Sequence, residues 1–207
     1  MLPKDALRIS VFRSLYFSIR YGGRIIILRG TRIRLAPGAR IQVPRGCRLF
    51  IGKSHVAGAP CSLDMGRNAR LTVNGFGRVS IVRGTRILIL ADAHLEIGSE
   101  TTINFNSAIT CYKYISIAAN CAISWNANIL EGNFHEMIVA GVPRPRHRPV
   151  RIGTNVWIGT GVIVRGATIG DGAVVGTGSV VVSDVPSKVL VAGNPARVIR
   201  EDVSWTV

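Results

Sequence analysis

Residues Ile152 to Val181 read IGTNVWIGTGVIVRGATIGDGAVVGTGSVV. Aliphatic side chains return there at a fixed interval: Ile152, Ile158 and Val164 step by six, and Ile169, Val175 and Val181 do so again. Glycine follows directly at Gly153, Gly159, Gly170 and Gly176, a residue that accepts turn geometry without steric cost. This period does not fit the 3.6-residue spacing of an amphipathic helix. It fits short strands joined by tight corners. Three hexads close one triangular coil, in which each aliphatic residue points inward and stacks about 4.8 Å from its counterpart in the next coil. One coil alone cannot bury its apolar face, so stability has to come from stacking, and the end coils need covering.

The repeat continues upstream. Ile97, Ile103 and Ile109 step by six, as do Ile117, Ile123 and Ile129. Nearer the N-terminus the interval lengthens to eight, through Ile33/Leu35, Ile41/Val43 and Leu49/Ile51, then Val73, Ile81, Ile89 and Ile97 in one phase, with an interruption expected from Val56 to Asp64. Two deviations stand out. Ile117 is followed by Ala118 instead of glycine, and Val164 to Ile169 is a step of five, which implies either a local irregularity or an inward Ile163. The fold class expected is all-β, a parallel β-helix of hexapeptide repeats.

From Asp5 to Arg20, Leu7, Val11, Phe12, Leu15, Tyr16 and Ile19 lie at helical spacing among Arg8, Arg13 and Arg20. This predicts a basic amphipathic helix. Two placements are open for it: on an anionic bilayer, or as a cap over the end of the solenoid. The expected organisation is a helix and lead-in over 1–32, a β-helix domain over 33–200 with a loop at 136–149, and a tail over 201–207.

Composition agrees with this plan. Hydrophobic residues are 47% and aromatics only 6%, so the core is to be built from small aliphatics. Lys and Arg number 26 against 11 Asp and Glu, a net charge of +15 that favours phosphate-bearing or anionic partners. Nucleic acid is not expected, since neither interleaved aromatics nor a readable helix motif accompanies the charge. Cys47, Cys61, Cys111 and Cys121 form no CxxC pair, and no secretory segment precedes them, which predicts free thiols and a cytoplasmic location. No apolar run approaches the ~18 residues of a spanning helix.

The stretch from Ile152 to Arg200, ending GSVVVSDVPSKVLVAGNPARVIR, resembles the C-terminal signature of the hexapeptide-repeat acetyltransferases. YISIAANCAISWNANILEGNFH, from Tyr114 to His135, is similar to the sugar and polysaccharide O-acetyltransferases, including the galactoside and maltose branch. The resemblance implies a left-handed β-helix, a homotrimer with active sites between neighbouring subunits, and acetyl-coenzyme A as acyl donor. The acceptor it implies is a hydroxyl of a sugar or lipid-linked saccharide, in surface polysaccharide biosynthesis. Peripheral attachment to the inner membrane face through the N-terminal helix is compatible with such an acceptor.

By the same resemblance His135, where the hexads stop, is the catalytic base. Imidazole suits that role because it is neutral and basic near pH 7. Asn126 matches the asparagine lining the acceptor and acetyl site, with an asparagine in a coil corner as the structural alternative. Trp157 matches the wall of the thioester end, Thr160 and Thr177 the pantetheine positions, and Arg197 and Arg200 the cations near the adenosine phosphates. Glu131 and Asn133 stand where relatives carry Asp, so Glu131 is a candidate to orient the imidazole. Val182-Ser183 replaces the usual Thr-Lys, which removes a cation and throws phosphate binding onto the arginines.

The segment 136–149 holds Pro143, Pro145, Arg144, Arg146, His147 and Arg148, a stiffened basic loop suited to an anionic acceptor. No metal is expected, because His55, His94, His135 and His147 lack the spacing of a three-histidine site. A catalytically inactive β-helix that organises a membrane complex is the rival function, and retention of His135 and the coenzyme positions argues against it.

Overall fold

The computed structural model describes residues 9–53, 59–132 and 135–206. The chain winds into a left-handed parallel β-helix with three faces. The first sheet runs from Arg24–Ile27 through Cys47–Lys53, Gly77–Val82, Thr101–Ile103, Ala122–Ile123, Trp157–Ile158 and Val174–Val175 to Leu190–Gly193, and an antiparallel strand, Ala196–Arg200, closes it. The second sheet begins at Arg32–Leu35 and ends at Val180–Val181; the third begins at Arg40–Gln42 and ends at Thr168–Ile169.

Register turns the repeat into columns. On the first face Ile27, Ile51, Ile81, Ile103, Ile123, Ile158, Val175 and Val191 stand in line. On the second face Leu63, Ile87, Ile109, Ile129, Val164 and Val181 do the same. These side chains are buried, so each stacks on its own kind between coils while the backbone amides pair along the same direction. The eight-residue spacing of the first half keeps the same columns, and the extra residues sit in the corners. Many corners need a left-handed backbone, and short polar side chains that tolerate it fill them: Asn68, Asp92, Asn106, Asn120, Asn126 and Asn155 all have positive φ.

At the five-residue step the structure selects the corner and not the strand. Val164 is buried and Ile163 points outward, and the missing residue is removed between Arg165 and Thr168, where Gly166 has φ +52. Coiling also starts earlier than the expected boundary at Ile33, because Arg24–Ile27 is already paired with Cys47–Lys53. The interruption expected at 56–64 is shorter than anticipated. Ser62–Met65 is a regular strand, and residues 54–58 lie outside the described residues.

The N-terminal helix spans Val11–Tyr21, and the expected start at Asp5, with Leu7 and Arg8, lies outside the described residues. It caps the first coil through polar contacts. The Ile25 and Ile27 amides on the outer edge of the first sheet donate to Ser18 Oγ and Ser14 Oγ, each at 2.9 Å, and Ser10 N–H donates to the Ile27 carbonyl at 2.8 Å. Phe17 is the apolar residue turned inward, whereas Val11, Phe12, Leu15, Tyr16 and Ile19 face away from the solenoid.

Glu131 is a buried carboxylate at the end of the second-sheet strand Asn128–Leu130. It accepts the backbone N–H groups of Tyr112, of Lys113 at 2.7 Å and of Tyr114 at 2.8 Å, and so closes the corner of the preceding coil. A glutamine would present an NH2 to donors that need an acceptor. We expect Glu131→Gln to lower unfolding stability by about 2 kcal/mol in urea titration, since unsatisfied buried donors cost ~1–3 kcal/mol.

The four cysteines are buried and free. Burial pushes the Cys61 thiol up to about 12 and the Cys121 thiol up to about 11, and raises Cys47 and Cys111 too. Thiolate is therefore scarce in the folded chain at pH 8. The native protein should resist alkylation there, and four thiols should react in denaturant; rapid native labelling counted by mass spectrometry would contradict the packing.

Candidate active site

The corner between the first and second sheets gathers most of the positions singled out by resemblance. Gly161 N–H donates to the Trp125 carbonyl and Gly178 N–H to the Thr160 carbonyl, each at 2.8 Å, which sets Trp125, Thr160 and Thr177 at equivalent positions in successive coils. The left-handed positions that follow are Asn126, Gly161 and Gly178. Trp157 lies on the adjoining strand with its indole partly open, donates Nε1–H to Ser124 Oγ at 3.1 Å, and stands 6.0 Å from the Trp205 ring. Arg197 and Arg200 project from Ala196–Arg200, the strand that closes the first sheet, and both are exposed. One edge of the prism thus carries an aromatic wall, two threonines and, at its C-terminal end, two guanidinium groups.

Asn126 has φ +58, and its amide N–H donates to the Phe105 carbonyl at 2.9 Å. The corner's conformational demand, also met by Asn106 one coil earlier, is by itself a sufficient reason for asparagine there.

His135 lies elsewhere. It follows the strand Asn128–Leu130 at the opposite edge of the second sheet, exposed, on a cavity of about 170 Å³. The stiffened basic loop expected at 136–149 is built around a β-hairpin. Met137–Val139 pairs antiparallel with Val142–Arg144, and Ala140 and Gly141 both have positive φ, as a two-residue type I′ turn requires. The chain then returns against the coil, with Arg148 N–H donating to the Glu131 carbonyl at 2.8 Å. A Cβ at Gly132 would collide with the Arg146 carbonyl oxygen, so glycine permits this return.

The cavity beside His135 is strongly basic. Arg144, Arg146, Arg148 and Arg165 line it. Arg146 pairs with Glu136 at 3.1 Å, and Arg148 with Asp184 at 2.6 Å. The Asp184 carboxyl is held below its usual range, first by the Thr168 backbone N–H and then by Arg148. Arg144 and Arg165 have no carboxylate partner among the described residues. Arg165 escaped the sequence reading because only its inward neighbour Val164 belongs to the repeat.

Two expectations change. Glu131 does not orient the imidazole, because both its oxygens are taken by the amides of residues 112–114; Asn133 lies outside the described residues. His147 stacks on Tyr112, with ring centroids 4.1 Å apart, and its Nδ1 is buried without a hydrogen-bond partner. Among the described residues no group of three His, Cys, Asp or Glu side chains is placed to hold a metal ion. None of their helices is long and apolar enough to cross a membrane.

Compared with known proteins, no family model matches the chain. An uncharacterised 24.8 kDa protein in the cps region of Klebsiella pneumoniae is 41% identical over 140 residues, which are 67% of this chain; the chain spans 62% of that relative's length. Among solved structures, the polysialic acid O-acetyltransferase OatWY has a TM-score of 0.59 at 21% identity, covering 86% of this chain and 88% of its own. The polySia-specific acetyltransferase NeuO has a TM-score of 0.56 at 24% identity, with 86% and 83% covered. The coil columns, the left-handed corners and these likenesses agree: this chain has the fold of the hexapeptide-repeat acetyltransferases.

Proposed function

We propose that the protein is an O-acyltransferase, in the first instance an acetyltransferase, that moves an acyl group from a coenzyme A thioester to a hydroxyl of a sugar or lipid-linked saccharide in surface polysaccharide biosynthesis. The observation that carries this reading is an exposed imidazole, His135, on a basic cavity at one edge of the second sheet, with the coenzyme-type positions along the other edge. Both solved relatives act on a polysaccharide by their descriptions, and the cps-region relative suits the same setting.

In this mechanism His135 accepts the proton of the acceptor hydroxyl as its oxygen attacks the thioester carbonyl carbon. The tetrahedral oxyanion collapses, the carbon–sulfur bond breaks, and the leaving thiolate takes the proton back from the imidazolium. No covalent enzyme intermediate is needed. Coenzyme A would lie along the edge lined by Trp157, Thr160 and Thr177, with its phosphates toward Arg197 and Arg200. Arg144 and Arg165 would receive a negatively charged group of the acceptor, since a guanidinium pairs two-pronged with carboxylate or phosphate.

In this reading the two edges meet across an interface. At about 3.3 Å per residue, the five steps from Asn126 to Glu131 hold the corners up to ~16 Å apart in one chain. A neighbouring copy bringing its Trp157 edge against the His135 edge would complete the site, which favours a closed homotrimer. The hairpin's exposed Met137, Ile138 and Val142 supply apolar surface for such a contact.

Thiol release from acetyl-coenzyme A, measured against carboxylated, phosphorylated and neutral saccharides, tests the reading. We expect turnover with an acidic acceptor and a loss of at least ~100-fold in His135→Ala, the range typical of removing a general base. No thiol release with any acceptor, or a His135→Ala rate within a few-fold of wild type, would refute it.

A further inference from the structure

The N-terminal helix uses its polar side to close the solenoid and leaves its apolar side uncovered. Ser10, Ser14 and Ser18 recur every four residues and bond the edge strand Arg24–Ile27 through hydroxyl and backbone groups. With that row of serines fixed inward, Val11, Phe12, Leu15, Tyr16 and Ile19 share the outer face. Phe12 is 90% exposed and Ile19 76%, a pattern opposite to that of a helix that caps a core with its hydrophobic stripe.

The electrostatics around this face are one-sided. Residues 6–63 contain ten arginines and one lysine and no Asp or Glu, so they hold eleven of the fifteen net positive charges. Arg20, Arg24, Arg29, Arg32, Arg40, Arg45 and Arg48 are all exposed on the helix or the first coils. An apolar helix face set in uniformly positive surroundings complements an anionic bilayer: the side chains enter the acyl boundary while the guanidinium groups meet lipid phosphates. A second copy of the chain meeting this end with its own would bring like charges together.

We infer that the outer face of this helix docks the protein on an anionic phospholipid bilayer, with the N-terminal end of the β-helix toward the membrane. The inference does not depend on the acyltransfer reading. If both hold, His135 stands four coils, roughly 19 Å, from the membrane-facing end, and a lipid-linked acceptor would have to reach it across that span.

The test is co-sedimentation of the full chain with vesicles of phosphatidylcholine and phosphatidylglycerol, and with vesicles of phosphatidylcholine alone. We expect binding to the anionic vesicles only, weakened by raised salt, and reduced at least ~10-fold in the double variant Phe12→Glu/Ile19→Glu. Arg20→Gln and Arg24→Gln should each weaken it roughly fivefold, the share of one basic residue near an anionic surface. Because Phe12, Ile19 and Arg24 are exposed and the Arg20 side chain bonds the ring hydroxyl of its neighbour Tyr21, circular dichroism and melting temperature should change little. Phe12→Trp, in a second measurement, should show lipid-dependent fluorescence quenching by brominated acyl chains. Absence of wild-type binding to anionic vesicles, or equal binding by the double variant, would overturn the inference. So would a change of oligomeric state in that variant without lipid, which would assign the face to another copy of the chain. Thiol release with a soluble acceptor should be unaffected in every variant, so failure of docking and failure of catalysis read out separately.

Discussion

Hydrogen bonding between successive coils is the constraint from which the rest follows. Each strand's amides are satisfied by the strand one coil away, so the coils stay in register and an inward aliphatic residue must meet an inward aliphatic residue. Columns such as Ile103, Ile123, Ile158 and Val175 fill the prism with aliphatic side chains and leave no place for a charged group along their line. Chemistry is therefore pushed to the corners and to whatever leaves the coil between them.

The corners have two uses. Most are turns that require a left-handed residue, supplied by asparagine, aspartate or glycine. The corner after Leu130 is different, because the chain leaves the coil there, forms the hairpin from Met137 to Arg144, and returns to pair Val150–Ile152 with the third sheet. Glu131 makes that departure possible by tying the neighbouring corner through the amides of residues 112–114. A buried carboxylate is costly unless its lone pairs are satisfied, and here backbone amides satisfy them. The geometry of the basic cavity thus rests on a residue outside the proposed acyl-transfer machinery.

Much of this was legible in the sequence, because a period of six leaves a direct trace in Ile152, Ile158 and Val164. Thr160 and Thr177 were picked out by resemblance alone, and the structure sets them with Trp125 at equivalent corners of successive coils. What stayed hidden depends on contacts that periodicity does not encode. The choice between Ile163 and Val164 turned on where the corner shortens, at Gly166. The role of Glu131 depends on amides about twenty residues earlier, and Arg165 becomes a cavity residue only once the hairpin folds back. The placement of the helix stayed open in the sequence because the side it turns inward is set by its serines, which bond the open edge strand.

The proposed site is divided between the two edges of the second sheet and would be completed by a neighbouring copy, and subunit mixing tests that proposal most directly. His135→Ala would remove the proposed base from one edge, and Thr160→Glu would place bulk and negative charge in the proposed coenzyme groove on the other. Each variant alone should be inactive; refolded together at equal amounts they should regain about a quarter of wild-type thiol release, since random assembly pairs two intact edges at that frequency in a closed ring. A mixture as inactive as its parents would place both edges of each site in a single chain and contradict the shared groove.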